Sequence, residues 1–152
     1  MLQKNGGEAD ELVLTIYDIS HKLNINEVIK LMNFNIEFYR DKESKRCYIE
    51  EFLDSLDTKS RVHTLRNIQL LSDFGYSLRE PYSKNIDDGI FELRIKQSSN
   101  IYRVLYFFYK DKNIILTNGF IKKTNKTPKN EINIAKECKN KYYRSIENER
   151  PK

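Results

Sequence analysis

The chain has no tryptophan, and only two cysteines, two histidines, three prolines and five glycines in 152 residues. Each scarcity excludes something. Cys47 and Cys138 are too few for a disulfide framework and lack metal-ligand spacing, so they read as small buried hydrophobes. His21 and His63 are too few for a His-built metal site or a Ser-His triad. So little Gly and Pro excludes collagen-like and linker-like chains. No apolar run approaches the roughly 20 residues of a membrane-spanning helix, and the longest, such as Ile114 to Leu116, are strand-sized. The opening MLQKNGGEADEL is not a basic start followed by a long apolar stretch, so no secretory signal is expected and the cytoplasm is the default location. There is no P-loop, no Gly-rich dinucleotide turn and no H-E-x-x-H motif. Neither a metal nor a cofactor is expected.

What the chain does have is aromatic bulk and unevenly placed charge. Ten Tyr and eight Phe supply core material for one domain, although 32% of the residues are charged. The net charge is +5. Residues 1–32 carry three Lys/Arg and five Asp/Glu, and residues 33–90 carry nine and eleven; residues 91–152 carry fifteen and six. The basic excess therefore lies entirely in the last two-fifths of the chain, which suggests a polyanionic partner. A lysine-rich surface solvated on all sides is the plainer alternative.

The apolar spacing predicts the elements in turn. Residues 8–31 read as a helical N-terminal extension with a break near Asn24. Asn33 to Tyr39 alternates Phe34, Ile36 and Phe38 on one side, as a half-buried strand does. Cys47 to Leu56 is a helix burying Ile49, Phe52, Leu53 and Leu56. A second helix, capped by Asp57 or Thr58, runs through Asp73 with Val62, Leu65, Ile68 and Leu71 or Leu70 inward, and Gly75 stops it. Residues 76–88 read as an irregular loop. After the Asp88-Gly89 turn come three strands, from Ile90 to Lys96, Ile101 to Tyr109 and Asn113 to Ile121, in an antiparallel meander. Gly119 inside the last strand marks a bulge or a close backbone approach. Thr127 caps a final helix to about Arg144, burying Ile132, Ala135, Cys138 and Tyr142. The expected architecture is α+β, one curved sheet with helices on one face. The expected organisation is a 1–31 extension, a 32–144 domain and a frayed 145–152 tail.

Basic residues on the predicted meander are the candidate chemistry. Glu92, Arg94 and Lys96 share the strand face opposite Phe91, Leu93 and Ile95. Arg103 lies mid-strand among apolar residues, so it is either paired internally or aimed at a ligand. The segment KKTNKTPK places Lys122, Lys123, Lys126 and Lys129 among Thr124 and Thr127, just before a helix N-terminus that welcomes an anion. Convergence of Arg94, Arg103 and this segment at one sheet edge would make a phosphate site. Neutralisation of either arginine by Glu92, with the lysines as a solvated turn, is the alternative.

These residues carry a family resemblance. The stretch from Phe91 to Glu137 contains Phe91-Glu92-Leu93-Arg94, Tyr102-Arg103-Val104-Leu105-Tyr106 and Gly119 through Ala135. It resembles the RelE/ParE toxin superfamily, in particular the phage-type HigB branch, the toxin half of type II toxin–antitoxin pairs. Residues 36–56 also resemble the opening strand and helix of that family, so the likeness spans about 33–144. The resemblance implies a small RelE-like fold and a toxin that cleaves mRNA on the ribosome. It also implies a tightly bound cognate antitoxin, of the helix-turn-helix HigA-like kind. The implied chemistry needs no metal: the 2′-hydroxyl attacks the scissile phosphate while the protein orients it, neutralises the phosphorane and protonates the leaving 5′-oxygen. Arg94, Arg103, Lys122 and Lys123 match the charge-stabilising basic residues. Lys96, Thr124, Lys126, Thr127 and Lys129 are candidate RNA contacts. The general base is open between Glu92, Tyr102 or Tyr106 of the strands and Tyr142 or Tyr143 near the C-terminus. A ParE-like gyrase poison and an inactive antitoxin-binding remnant are the competing functions. The extension 1–31 departs from the family pattern, which begins near Met32, and an extra packing helix is the expectation for it.

Overall fold

The computed structural model describes residues 33–151, so the expected helical extension lies outside the described residues. Strand β1 (Asn35–Phe38) leads through a charged turn to helices α1 (Tyr48–Ser55) and α2 (Thr58–Phe74), and a 3-10 turn (Gly75–Ser77) follows. Strands β2 (Ser83–Asp87), β3 (Ile90–Gln97), β4 (Asn100–Tyr109) and β5 (Asn113–Ile121) precede helix α3 (Lys129–Glu149). The sheet order is β1-β5-β4-β3-β2, with β1 parallel to β5 and the other pairs antiparallel. The three-strand meander is present as expected. Strand β2 was not anticipated: its polar sequence SKNID has no alternating apolar face, and β3 recruits it as an edge strand.

Local chemistry accounts for the boundaries. The Asp57 side chain accepts the Ser60 amide at 2.8 Å and caps α2. Gly75 ends that helix at φ 50°, where a Cβ would also meet the Phe34 ring. Asp88 and Gly89 both take positive φ in the β2–β3 turn. Gly119 satisfies the close-approach expectation, because a Cβ there would sit 2.3 Å from the Phe52 ring of α1. The bulge lies two residues earlier: Leu105 pairs with Asn118 and Tyr106 with Leu116, leaving Thr117 as the extra residue.

The sheet has two covered faces, whereas helices on one face were expected. Leu93, Ile95, Val104, Tyr106, Ile114 and Leu116 pack with Ile49, Phe52, Ile68 and Leu71 of α1 and α2. The alternate positions Ile90, Leu105, Phe107 and Ile115 pack with Ala135 and Cys138 of α3. Ile114, Ile115 and Leu116 are consecutive and fully buried, as only a strand covered on both faces allows. α3 also continues to Glu149, past the expected end at Arg144, where Glu149 pairs with Lys42.

α2 buries a hydroxyl stripe where Val62 and Leu65 were expected. Ser60, Thr64 and Ser72 are buried with Ile68 and Leu71, while Val62 and Leu65 are only half-buried. The hydroxyls are satisfied: Ser60 meets the Tyr102 hydroxyl at 2.9 Å, Thr64 donates to the Ser60 carbonyl, and Ser72 donates to the Phe34 carbonyl.

One stability consequence follows from the same core. Tyr106 is 1% exposed, its hydroxyl engages Ser83, and burial pushes its phenol up to about 12. A raised folded-state value means stability is intact below pH ~10 and is lost as pH rises toward 12. We expect Tyr106→Phe to flatten the alkaline limb of a melting-temperature profile between pH 9 and 12, at the cost of about 1 kcal/mol at pH 7 for the Ser83 bond. An unchanged alkaline limb would place that sensitivity elsewhere.

Candidate functional site

The site is assembled around a buried carboxylate. Glu92 lies in β3 on the α3 side of the sheet and is 1% exposed. Its Oε1 accepts from Arg103 Nε at 3.0 Å and from Arg94 Nε at 3.3 Å, and Lys122 Nζ stands 4.0 Å away. Its Oε2 accepts from the Thr127 hydroxyl. Three cations and a hydroxyl from β3, β4 and the β5–α3 segment thus meet one anion.

The register explains the gathering. Arg94 and Arg103 are direct cross-strand partners, so their side chains rise side by side on one face. Two adjacent guanidiniums repel, and Glu92, two residues from Arg94, supplies the compensating charge. The β5–α3 segment is fixed from both ends. The Lys122 amide donates to the Ile101 carbonyl at 2.7 Å, and the Thr117 bulge turns Asn118 toward α3, where its amide donates to Glu131 Oε2 at 2.8 Å. Thr127 was expected to cap α3. Its hydroxyl is directed to Glu92 instead, and Pro128 takes the N-cap position without a side-chain cap.

Burial tunes the cations. The side chains of Arg103 and Lys122 are each 11% exposed and that of Arg94 is 28% exposed. Burial is the first cause lowering the Arg103 and Lys122 values, with the Glu92 charge opposing it and the neighbouring guanidinium charges adding to it. Arg103 stays charged regardless. The lowered Lys122 ammonium is a better proton donor than a solvated lysine.

The arginines open onto a cleft of about 620 Å³ beyond the end of β2, where α2 faces the uncovered edge of β3. Arg94, Lys96 and Arg103 line it, together with His63 and Arg66 of α2 and with Tyr82. Thus Glu92, Arg94, Arg103, Lys122 and Thr127 come together, and Lys96 joins them through the cleft. Lys123, Thr124, Lys126 and Lys129 do not reach the cluster and are solvent-exposed. The candidate tyrosines lie apart. Tyr102 and Tyr106 are buried on the opposite face with α1 and α2. Tyr142 and Tyr143 stand with Phe107 and Tyr109, and the Tyr142 hydroxyl donates to Glu37. Thr127 and Tyr142 are fifteen positions apart along a segment that is helical from Lys129, a distance of roughly 20 Å. Sequence reasoning missed the α2 wall. The i, i+3 spacing of His63 and Arg66 puts them on one helix face, but nothing local says that this face looks at β3.

Among the described residues, no helix is long and apolar enough to cross a membrane. No curated protein matches the chain. The family model of the phage-derived protein Gp49-like (DUF891) matches residues 51–140, from α1 into α3, and so spans every member of the Glu92 cluster. The chain therefore belongs to the phage-derived Gp49-like family, a toxin–antitoxin-related family allied to the RelE/HigB toxins.

Proposed function

We propose that this chain is the toxin of a type II toxin–antitoxin pair and acts as an mRNA endoribonuclease on the translating ribosome. Its silencing partner is a cognate antitoxin of helix-turn-helix, HigA-like type. The observation that carries the reading is the convergence of Arg94, Arg103 and Lys122 on Glu92, with the two arginines lining an open cleft. A cluster with three positive charges to one negative has capacity left for a phosphate. In this reading the 2′-hydroxyl gives up its proton to solvent water, its oxygen bonds to phosphorus, the bond to the 5′-oxygen breaks, and a 2′,3′-cyclic phosphate remains. Arg103 and Arg94 stabilise the phosphorane charge. Lys122 donates the proton taken up by the leaving 5′-oxygen. Lys123, Lys126 and Lys129 attract the RNA backbone from the rim.

Glu92 is one of the residues to which the sequence offers a base role. We assign it instead the task of holding the two guanidiniums parallel, because its oxygens are engaged by Arg94, Arg103 and Thr127. A carboxylate so occupied is a poor proton acceptor for a substrate hydroxyl.

The test is expression of the full chain without an antitoxin, followed by mapping of RNA 5′ ends and by DNA integrity assays. Growth arrest with new mRNA ends at ribosome-occupied codons is expected. Arrest with intact mRNA and trapped or broken DNA would move the chain to the ParE-like gyrase poisons. Normal growth with retained antitoxin binding would mark it an inactive remnant.

A further inference from the structure

The cleft beside the arginines contains more than charge. Tyr82 precedes β2, and its carbonyl accepts the Arg94 amide at 2.8 Å. Ser83 pairs with Leu93 and Lys84 with Glu92, so the same register sets Tyr82 opposite Arg94, on the face that carries Glu92 and Arg94. The Tyr82 side chain lines the cleft and the residue is 49% exposed. Among the described residues, no ring contact, ion pair or hydroxyl hydrogen bond engages it. The exposed Tyr76 is by contrast occupied: its hydroxyl donates to the Lys110 and Asp111 carbonyls, and its ring packs on Phe34 and Phe108. A bare aromatic face beside two guanidiniums, in a cleft shared with His63 and Lys96, suits a ligand that is flat and anionic at once.

We propose that Tyr82 is the stacking platform of a nucleobase subsite, and that the cleft between α2 and the β3 edge takes one base of a single-stranded RNA whose adjoining phosphate lies on Arg94 and Arg103. A protein ligand is disfavoured by the charge of the lining among the described residues, where Arg94, Lys96 and Arg103 face one acid, Asp73. A base stacked on an aromatic ring, with its phosphate on neighbouring cations, is the usual arrangement for sequence-tolerant single-strand binding. This inference rests on the ribonuclease reading above and adds to it the residue that positions the nucleotide.

The test uses the full chain, a fluorescent single-stranded RNA oligonucleotide, and inorganic polyphosphate as a competitor without bases. Tyr82→Ala is expected to weaken RNA binding about tenfold, with polyphosphate affinity and the salt slope unchanged. Tyr82→Phe, which keeps the ring, is expected to recover the RNA affinity. Wild-type RNA affinity in Tyr82→Ala would overturn the subsite and leave the phosphate site standing. Equal losses for RNA and polyphosphate would also overturn it, since the ring would then be supporting the arginines. A wild-type chain that binds neither polyanion would overturn the phosphate reading itself and the subsite with it. Selective capture of an acidic peptide in place of RNA would replace the ligand class proposed here.

Discussion

Arg103→Ala is expected to abolish growth inhibition while lowering the melting temperature by only about 4–8 °C. The two effects separate because Arg103 has two jobs of unequal weight. Structurally it is one of several partners of Glu92, and its loss leaves Arg94, Lys122 and Thr127 on that carboxylate. The anion is not stranded, so the cost stays below the roughly 3–5 kcal/mol of an unpaired buried charge, at about 1–2 kcal/mol. Functionally no other cation can replace it. Its guanidinium is anchored through Nε to Glu92 and through Nη1 to the Tyr102 carbonyl, which fixes the planar group at the cleft. Loss of one such preorganised donor from a developing anion costs a factor of about 10²–10³ in rate. Arg103→Lys should recover little, because a point charge does not reproduce the fork. The measurements are a melting curve, a growth assay and antitoxin co-purification on the same variant. A folded and fully toxic Arg103→Ala protein would remove the centre of the site.

Glu92→Gln is expected to be the more destabilising change, although it is nearly isosteric. It leaves the shape and removes the one carboxylate that Arg94, Arg103 and Lys122 share among the described residues. Arg94 and Arg103 then stand as uncompensated direct cross-strand neighbours with Lys122 beside them. Uncompensated buried charge of this kind costs about 3–5 kcal/mol, or roughly 10–20 °C in melting temperature. The variant also makes a specific prediction about ligands. Inorganic phosphate should raise its melting temperature more than it raises that of the wild type, because a bound anion replaces the missing charge. Wild-type-like melting would show that the cations relax into solvent. Absence of a phosphate effect in a destabilised variant would show that the cluster is a structural ion pair and not an anion site.

Much of this was legible in the linear chain. Apart from β2, the element order from β1 to α3 follows from periodicity and punctuation: alternation in NFNIEFY, the Asp57 cap, the Gly75 stop and the paired turns between β3, β4 and β5. These signals are local, since capping and turn conformation depend on a few consecutive residues. The shared face of Glu92 and Arg94 also follows from strand period alone. Tertiary structure decided what depends on distant partners. That α3 covers the second face could not be read from β3 to β5, because a doubly buried strand lacks clean alternation. β2 exists only because β3 offers an open edge, and hydroxyls entered the α2 interface because the buried partners that satisfy them include Tyr102, 42 residues from Ser60. Thr127 left its capping role for the same reason, as Glu92 lies 35 residues away. The sequence by itself determined which charges exist and which strand face carries them. Only the fold decided that one carboxylate would gather Arg94, Arg103, Lys122 and Thr127, because cross-strand register is a long-range property.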